Sequence, residues 1–90
     1  MTLYTVIETP VYSRLASRIL TDDERDAVAA FVSLNPMAGN VVRGSGGIRK
    51  LRWAQYGKGK SGGARIIYYN RLANGEIWLL TIYAKWDRST

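Results

Sequence analysis

The chain has 90 residues, of which 47% are hydrophobic, so it holds one small domain with a single core. It contains neither cysteine nor histidine, which excludes disulfides, thiolate metal sites and histidine as a metal ligand or acid–base catalyst. The net charge is +6, no apolar run approaches the roughly 20 residues of a membrane span, and the N-terminus lacks a signal-peptide pattern; we therefore predict a cytoplasmic protein without a membrane partner.

The first half of the chain predicts one strand and two helices. Residues 3–8 are rich in β-branched and aromatic side chains, which favour a strand. Thr9 is an N-cap candidate for a helix over residues 10–20, which opens on proline. The run Thr21-Asp22-Asp23-Glu24 is a capping box, and the helix that follows it is predicted to end near Asn35-Pro36.

The second half predicts a glycine-containing loop over residues 37–47 and then three strands. These cover residues 48–54, 64–71 and 76–85, with Asn74-Gly75 as a hairpin turn signal. The element order β-α-α-β-β-β predicts an α+β fold, in which the late strands form an antiparallel meander and the helical hairpin packs on its apolar face. The first strand is expected at an edge or beside the last strand.

Side chains of the late strands alternate between two faces. The predicted core face carries Leu51, Trp53, Ile66 and Tyr68. The predicted outward face is basic and aromatic, and carries Lys50, Arg52, Arg65, Ile67 and Tyr69.

Basic residues are segregated along the chain. Eight of them lie between Asn40 and Asn74, a stretch without Asp or Glu: Arg43, Arg49, Lys50, Arg52, Lys58, Lys60, Arg65 and Arg71. A solvated surface normally mixes both signs of charge, so we favour a site for a polyanion over a basic face that has no partner.

The segment Gly57-Lys58-Gly59-Lys60-Ser61-Gly62-Gly63 contains Gly-Lys-Ser but is not a P-loop. That motif needs glycine at position 54, which is Ala54, and a helix after the loop, where this sequence predicts a strand. Glycines let a backbone approach a phosphate, and Lys58 and Lys60 supply charge. The alternative is an exposed hairpin loop whose lysines aid solubility.

RNA cleavage by the 2′-hydroxyl needs a base, charge stabilisation of the pentavalent phosphate and a proton for the 5′-oxygen. A lysine amine acts as a base where neighbouring cations lower its pKa, and arginine clamps phosphate with two hydrogen bonds. Residues of these types are Lys50, Lys58, Lys60, Arg65, Tyr83 and Lys85. Because the basic stretch offers no acidic cluster to hold a metal ion, we predict neither a metal nor a cofactor.

Exposed aromatic rings can stack on the bases of single-stranded RNA. We expect this role for Tyr56, Tyr69 and Trp86, whereas Trp53 and Trp78 are expected to pack in the sheet.

Three stretches, residues 46–53, 57–69 and 79–85, resemble the RelE/ParE superfamily of toxin–antitoxin toxins, most closely its HigB-type branch. The resemblance covers nearly the whole chain, as a single RelE-like domain over residues 1–90. It implies a ribosome-dependent mRNA endonuclease that is neutralised by an antitoxin encoded beside it. The family's catalytic positions correspond to Lys50, Arg65 and Lys85, with Lys58 and Lys60 in the branch's own loop. The candidate RNA contacts are Arg43, Arg49, Arg52, Tyr56, Tyr69, Tyr83 and Trp86.

The segment after Tyr83-Ala84-Lys85 is short compared with that family, which leaves Tyr83 or Trp86 as the local aromatic. Two alternatives therefore stand beside the endonuclease. One is a weakly active or inactive RelE-like protein that binds antitoxin or RNA. The other is a gyrase-directed toxin of the ParE branch, against which the basic set of Lys50, Arg65 and Lys85 argues because it suits phosphate chemistry.

Overall fold

A computed structural model describes residues 4–55 and 63–85. The elements are β1 (Thr5–Glu8), α1 (Pro10–Ile19), α2 (Asp22–Leu34), β2 (Asn40–Val41), β3 (Ile48–Trp53), β4 (Ala64–Arg71), a 3-10 turn (Leu72–Asn74) and β5 (Glu76–Ala84). The predicted α+β class is confirmed. The prediction of an uninterrupted loop over residues 37–47 is wrong, because that segment contains the short strand β2.

The five strands form one sheet in the order β1-β5-β4-β3-β2. Strands β3 to β5 make the predicted antiparallel meander, and β2 adds a further antiparallel strand beside β3. Strand β1 lies at an edge and is parallel to β5, so it fulfils both placements expected for it. Both helices lie between β1 and β2 in the chain, and they pack together on one face of the sheet.

Both helices begin with the caps that the sequence predicts. The Thr9 hydroxyl accepts a hydrogen bond from the Tyr12 N–H at 3.1 Å, and Pro10 is the first residue of α1. In α2 the Thr21 hydroxyl accepts from the Glu24 N–H, and the Glu24 carboxylate accepts from the Thr21 N–H. Among the described residues, neither helix has the length and hydropathy needed to cross a membrane.

The core lies between the helices and one face of the sheet. Tyr12 and Ala16 of α1 and Val28 and Val32 of α2 are fully buried there. Their partners on the sheet are Leu51, Ala64, Ile66, Tyr68, Ile77, Leu79 and Ile82. Because the helices cover this face, alternation leaves every second side chain of β3, β4 and β5 on the outward face of the sheet.

A β-bulge in β5 keeps its later residues on the correct faces. Ile67 pairs with Thr81 and Tyr68 pairs with Leu79, so Leu80 is the extra residue. The Thr9 hydroxyl donates to the Leu80 carbonyl at 2.8 Å. The bulge shifts the alternation by one residue, which directs Ile82 to the core and Tyr83 to the outward face beside Arg65.

The fully buried Tyr12 hydroxyl makes the stability sensitive to alkaline pH. Burial raises the pKa of Tyr12 to about 12, with a further rise from the Glu8 carboxylate that Arg25 partly opposes. The folded-state pKa therefore lies above the ordinary value of 10.0. The contribution of the protonated Tyr12 hydroxyl to the free energy of unfolding is present in full below pH 10 and is lost as the pH rises towards 12. At about 1.4 kcal/mol per pKa unit, we expect this group to lower the free energy of unfolding by about 2 kcal/mol in urea titrations over that range.

Tyr12→Phe is the matched control, because the Tyr12 hydroxyl has no hydrogen-bond partner among the described residues. The variant should keep wild-type stability at pH 7 within about 1 kcal/mol. Above pH 10 it should lose less stability than the wild type. An equal alkaline loss in both proteins would contradict the assignment to Tyr12.

Candidate nucleic-acid interface

The outward face of the sheet gathers basic side chains at one end. Arg52 of β3 lies directly opposite Arg65 of β4, which in turn lies opposite Tyr83 of β5. Lys50, two residues before Arg52, projects from the same face and pairs across β3 and β4 with Ile67. The alternation predicted for Lys50, Arg52 and Arg65 is therefore the observed one.

These cations line a cavity of about 440 Å³, which we call the cationic cavity. The residues that line it are Ala38, Asn40, Lys50, Leu51, Arg52 and Arg65. The Arg65 Nη1 donates to the neighbouring Ala64 carbonyl at 3.2 Å. In the part of the chain that the structure describes, no carboxylate pairs with Lys50 or Arg65. The charges of Lys50 and Arg65, which converge here without such a partner, attract an anion, and a planar guanidinium matches the oxygens of phosphate.

Asn40 and Arg43 extend the cationic cavity along the edge of the sheet. Asn40 of β2 lies directly opposite Lys50, and an adjoining cavity of about 350 Å³ is lined by Asn40, Arg43 and Lys50 among others. Sequence reasoning missed Asn40, because it lay in a predicted loop without periodicity. Its side-chain amide adds a donor and an acceptor beside the lysine.

Arg49 is not brought to this cavity. It lies on the face of β3 opposite to Lys50, where its Nη1 donates to the Gly39 carbonyl at 2.6 Å and the Met37 carbonyl at 3.2 Å. These hydrogen bonds connect the loop before β2 to the sheet. They hold the Arg49 guanidinium on the face opposite to the other candidate RNA contacts of β3.

Tyr68 holds the same loop from the core. Its hydroxyl donates to the Pro36 carbonyl and accepts from the buried Gly39 N–H, both at 2.9 Å. The backbone at Gly39 passes so close to the sheet that an added Cβ would lie 3.0 Å from the Lys50 carbonyl. Together these contacts fix the loop and so place Asn40 opposite Lys50.

We expect Tyr68→Phe to lower the free energy of unfolding by about 1–3 kcal/mol, because it leaves the Gly39 N–H buried without its acceptor. Chemical denaturation measures this. The matched control is Tyr69→Phe on the adjacent, exposed residue, which should change stability by less than about 0.5 kcal/mol. Equal effects of the two substitutions would contradict the role given to the Tyr68 hydroxyl.

The other end of the outward face is aromatic. Tyr69 lies directly opposite Ile48 of β3 on one side and Trp78 of β5 on the other. These residues line an open groove of about 530 Å³ together with Arg71, Leu80 and the β2–β3 hairpin, and we call it the aromatic groove. The Trp78 Nε1–H donates to the Glu76 carboxylate at 3.1 Å.

The two tryptophans expected to pack in the sheet differ in placement. Trp53 packs against the core and makes an edge-to-face contact with Phe31, with ring centroids 5.8 Å apart. Trp78, by contrast, lies half-buried on the outward face of the sheet. Its neighbours Ile77 and Leu79 are both fully buried, and alternation between them directs Trp78 away from the core.

No family model matches the sequence. A chain in the crystal structure of the toxin–antitoxin complex RelBE2 from Mycobacterium tuberculosis has a similar structure, with a TM-score of 0.67 and 22% sequence identity. The similarity covers 90% of this chain and 96% of that chain. The fold is RelE-like. The fold expected from the family resemblance is thereby confirmed.

Within this RelE-like fold, Lys85 follows β5 directly and is exposed. Its backbone N–H donates to the Gly63 carbonyl at 2.8 Å, which places it at the end of the sheet where Arg65 and Tyr83 lie. The other predicted site residues, Tyr56, Lys58, Lys60 and Trp86, lie outside the described residues. Among the described residues, no cluster of carboxylate side chains is suited to hold a metal ion.

Proposed function

We propose that this protein is the toxin of a type II toxin–antitoxin system, of the HigB-type RelE-like branch, and that it cleaves mRNA on the ribosome. The observation that carries the proposal is the convergence of Lys50, Arg52 and Arg65 on one cavity, in a fold shared with a chain of a toxin–antitoxin complex. The segregation of eight basic residues within 40–74 supports a polyanionic substrate.

The proposed reaction is an internal phosphoryl transfer. The 2′-oxygen of one nucleotide attacks the adjacent phosphorus, the bond from phosphorus to the 5′-oxygen breaks, and the products are a 2′,3′-cyclic phosphate and a 5′-hydroxyl. A base removes the proton of the 2′-hydroxyl, and an acid protonates the departing 5′-oxygen. Side chains of this chain supply every group that the reaction needs.

Arg65 is the proposed clamp on the phosphate, because its guanidinium can donate two hydrogen bonds as negative charge develops on the non-bridging oxygens. Lys50, on the neighbouring strand and in the same cavity, and Lys85, at the end of β5, are the proposed acid–base pair. Tyr83 lies beside Arg65 and can contact the sugar or the base. Arg52 and Arg43 extend the positive surface along the RNA backbone.

The proposed partners follow from this function. They are the ribosome with its mRNA and a cognate antitoxin, all in the cytoplasm. The antitoxin is expected to neutralise the toxin by covering the cationic cavity or by blocking its access to the ribosome.

The experiment is inducible expression in bacteria with transcriptome-wide mapping of RNA 5′ ends. We expect growth arrest and new 5′-hydroxyl ends within translated frames, and we expect both to disappear in Lys50→Ala and Arg65→Ala. Arg18→Ala is the control, because Arg18 is exposed on α1, away from the sheet. Its cleavage pattern should match that of the wild type.

Soluble, folded protein that causes neither arrest nor new RNA ends would refute the endonuclease. Salt-dependent RNA binding without cleavage would then favour the binding module. Growth arrest with DNA damage in place of RNA ends would favour the gyrase-directed alternative.

A further inference from the structure

We infer that the aromatic groove is a second RNA subsite, which holds a base of the same single strand whose phosphate lies at the cationic cavity. The inference rests on the proposed function and adds a binding determinant away from the reacting phosphate. It assigns a role to Trp78, which the cleavage chemistry does not use.

The two sites lie on one continuous surface. Arg65 at the cationic cavity and Tyr69 at the aromatic groove are both outward-facing residues of β4, separated by four positions. At about 3.3 Å per residue, their Cα atoms are roughly 13 Å apart along the strand. Ile67 and Thr81 lie side by side between them and add no negative charge. A single strand bound at Arg65 can therefore continue along the sheet to Tyr69.

The rings in the aromatic groove are available to a base. Tyr69 is 37% exposed, and Trp78 is half-buried on the neighbouring strand. Within the described part of the chain, neither ring stacks on another ring. The hydrogen bond to Glu76 fixes the orientation of the Trp78 indole, so little side-chain freedom remains to be lost on binding. Every base has a π-face, so such a platform binds bases with little sequence preference.

The Arg71 guanidinium and the volume of the groove favour a nucleotide over an apolar peptide. Arg71 lines the groove, so a phosphate next to the stacked base meets a guanidinium. Glu76 pairs with Arg71 across β4 and β5, and its carboxylate accepts the Trp78 indole N–H. The volume of about 530 Å³ lies within the range of about 300–1,000 Å³ typical of small-molecule sites.

The test uses fluorescence anisotropy of a labelled hexanucleotide that carries 2′-O-methyl groups, since it lacks the nucleophile and cannot be cleaved. We expect Trp78→Leu and Tyr69→Leu each to weaken binding by about tenfold, the effect of losing one base–aromatic stack. Trp78→Phe, which keeps a ring, should retain most of the affinity. Circular dichroism verifies that each variant is folded.

The salt dependence separates the two sites. Trp78→Leu should leave the slope of log K against log salt unchanged, whereas Lys50→Ala should reduce its magnitude by about one, because a phosphate contact is lost.

Wild-type affinity in both groove variants, with weakened binding in Lys50→Ala, would overturn the subsite and leave the proposed function standing. Failure of the wild-type protein to bind the oligonucleotide would overturn the subsite, whereas the mapping of RNA 5′ ends decides the proposed function separately. Unchanged RNA affinity with altered self-association of Trp78→Leu in sedimentation would instead make the groove a contact between copies.

Discussion

Arg65→Lys is expected to slow RNA cleavage by about 10²–10³-fold, the loss typical when one preorganised donor to a developing negative charge is removed. The substitution keeps the net charge of +6, so long-range attraction of RNA is retained. The ammonium of lysine is a point charge, and it cannot form the paired hydrogen bonds that a guanidinium donates to two phosphate oxygens. The loss should therefore appear in the cleavage step more than in binding.

Single-turnover cleavage on ribosomes programmed with a defined mRNA measures this effect. The matched control is Arg18→Lys, the same chemical change on the exposed surface of α1, which should leave the rate constant unchanged. Chemical denaturation should give Arg65→Lys a stability close to that of the wild type, because Arg65 lies outside the core. Cleavage by Arg65→Lys at the wild-type rate would remove Arg65 from the proposed site.

Gly63→Ala is expected to destabilise the fold by about 2–4 kcal/mol, which is a large part of the stability of a small domain. Gly63 has φ +85°, in the left-handed region that favours glycine, and an added Cβ would lie 2.4 Å from the Trp53 carbonyl oxygen. The position of a Cβ is fixed by the backbone and the Trp53 oxygen belongs to the backbone, so no rotamer change relieves the overlap. The Gly63 carbonyl also accepts from the Lys85 N–H, so a shift of this residue disturbs the end of the sheet that carries Arg65.

The comparison is Gly44→Ala in the β2–β3 hairpin. Gly44 has a similar φ of +73°, but an added Cβ would meet no atom within 4 Å. Its cost should be the conformational penalty alone, about 1–2 kcal/mol. Thermal unfolding of the two variants separates the conformational penalty from the cost of the steric overlap. Equal losses of stability in both variants would show that the overlap at Gly63 is relieved by a backbone shift.

The cationic face could be predicted because strand alternation and charge point in the same direction. In β3 the apolar residues Leu51 and Trp53 alternate with Lys50 and Arg52, so burial of the first pair directs the second pair outward. In β4 the same argument places Ile66 and Tyr68 in the core and Arg65 and Tyr69 outside. The helix caps were predicted equally well, because each depends on residues three positions apart.

The remaining features depend on contacts that are distant in the sequence. Strand β2 has two residues, too few for any periodicity, and exists because Asn40 and Val41 pair with β3. The bulge at Leu80 is invisible in a uniformly apolar strand, and its carbonyl meets Thr9 from the other end of the chain. The faces of Arg49 and Trp78 could have been inferred from the sequence, since alternation already separates Arg49 from Lys50 and directs Trp78 away from Ile77.

The position of β5 within the sheet also sets the order in which the fold is completed during synthesis. Of the strands that the structure describes, β5 comes last in the sequence, yet it lies between β1 and β4 and supplies Ile77, Leu79 and Ile82 to the core. Until these residues have left the ribosomal exit tunnel, the nascent chain has no partner for β1 and only one neighbour for β4. The surface that carries Arg65 therefore cannot be completed before β5 has been synthesised.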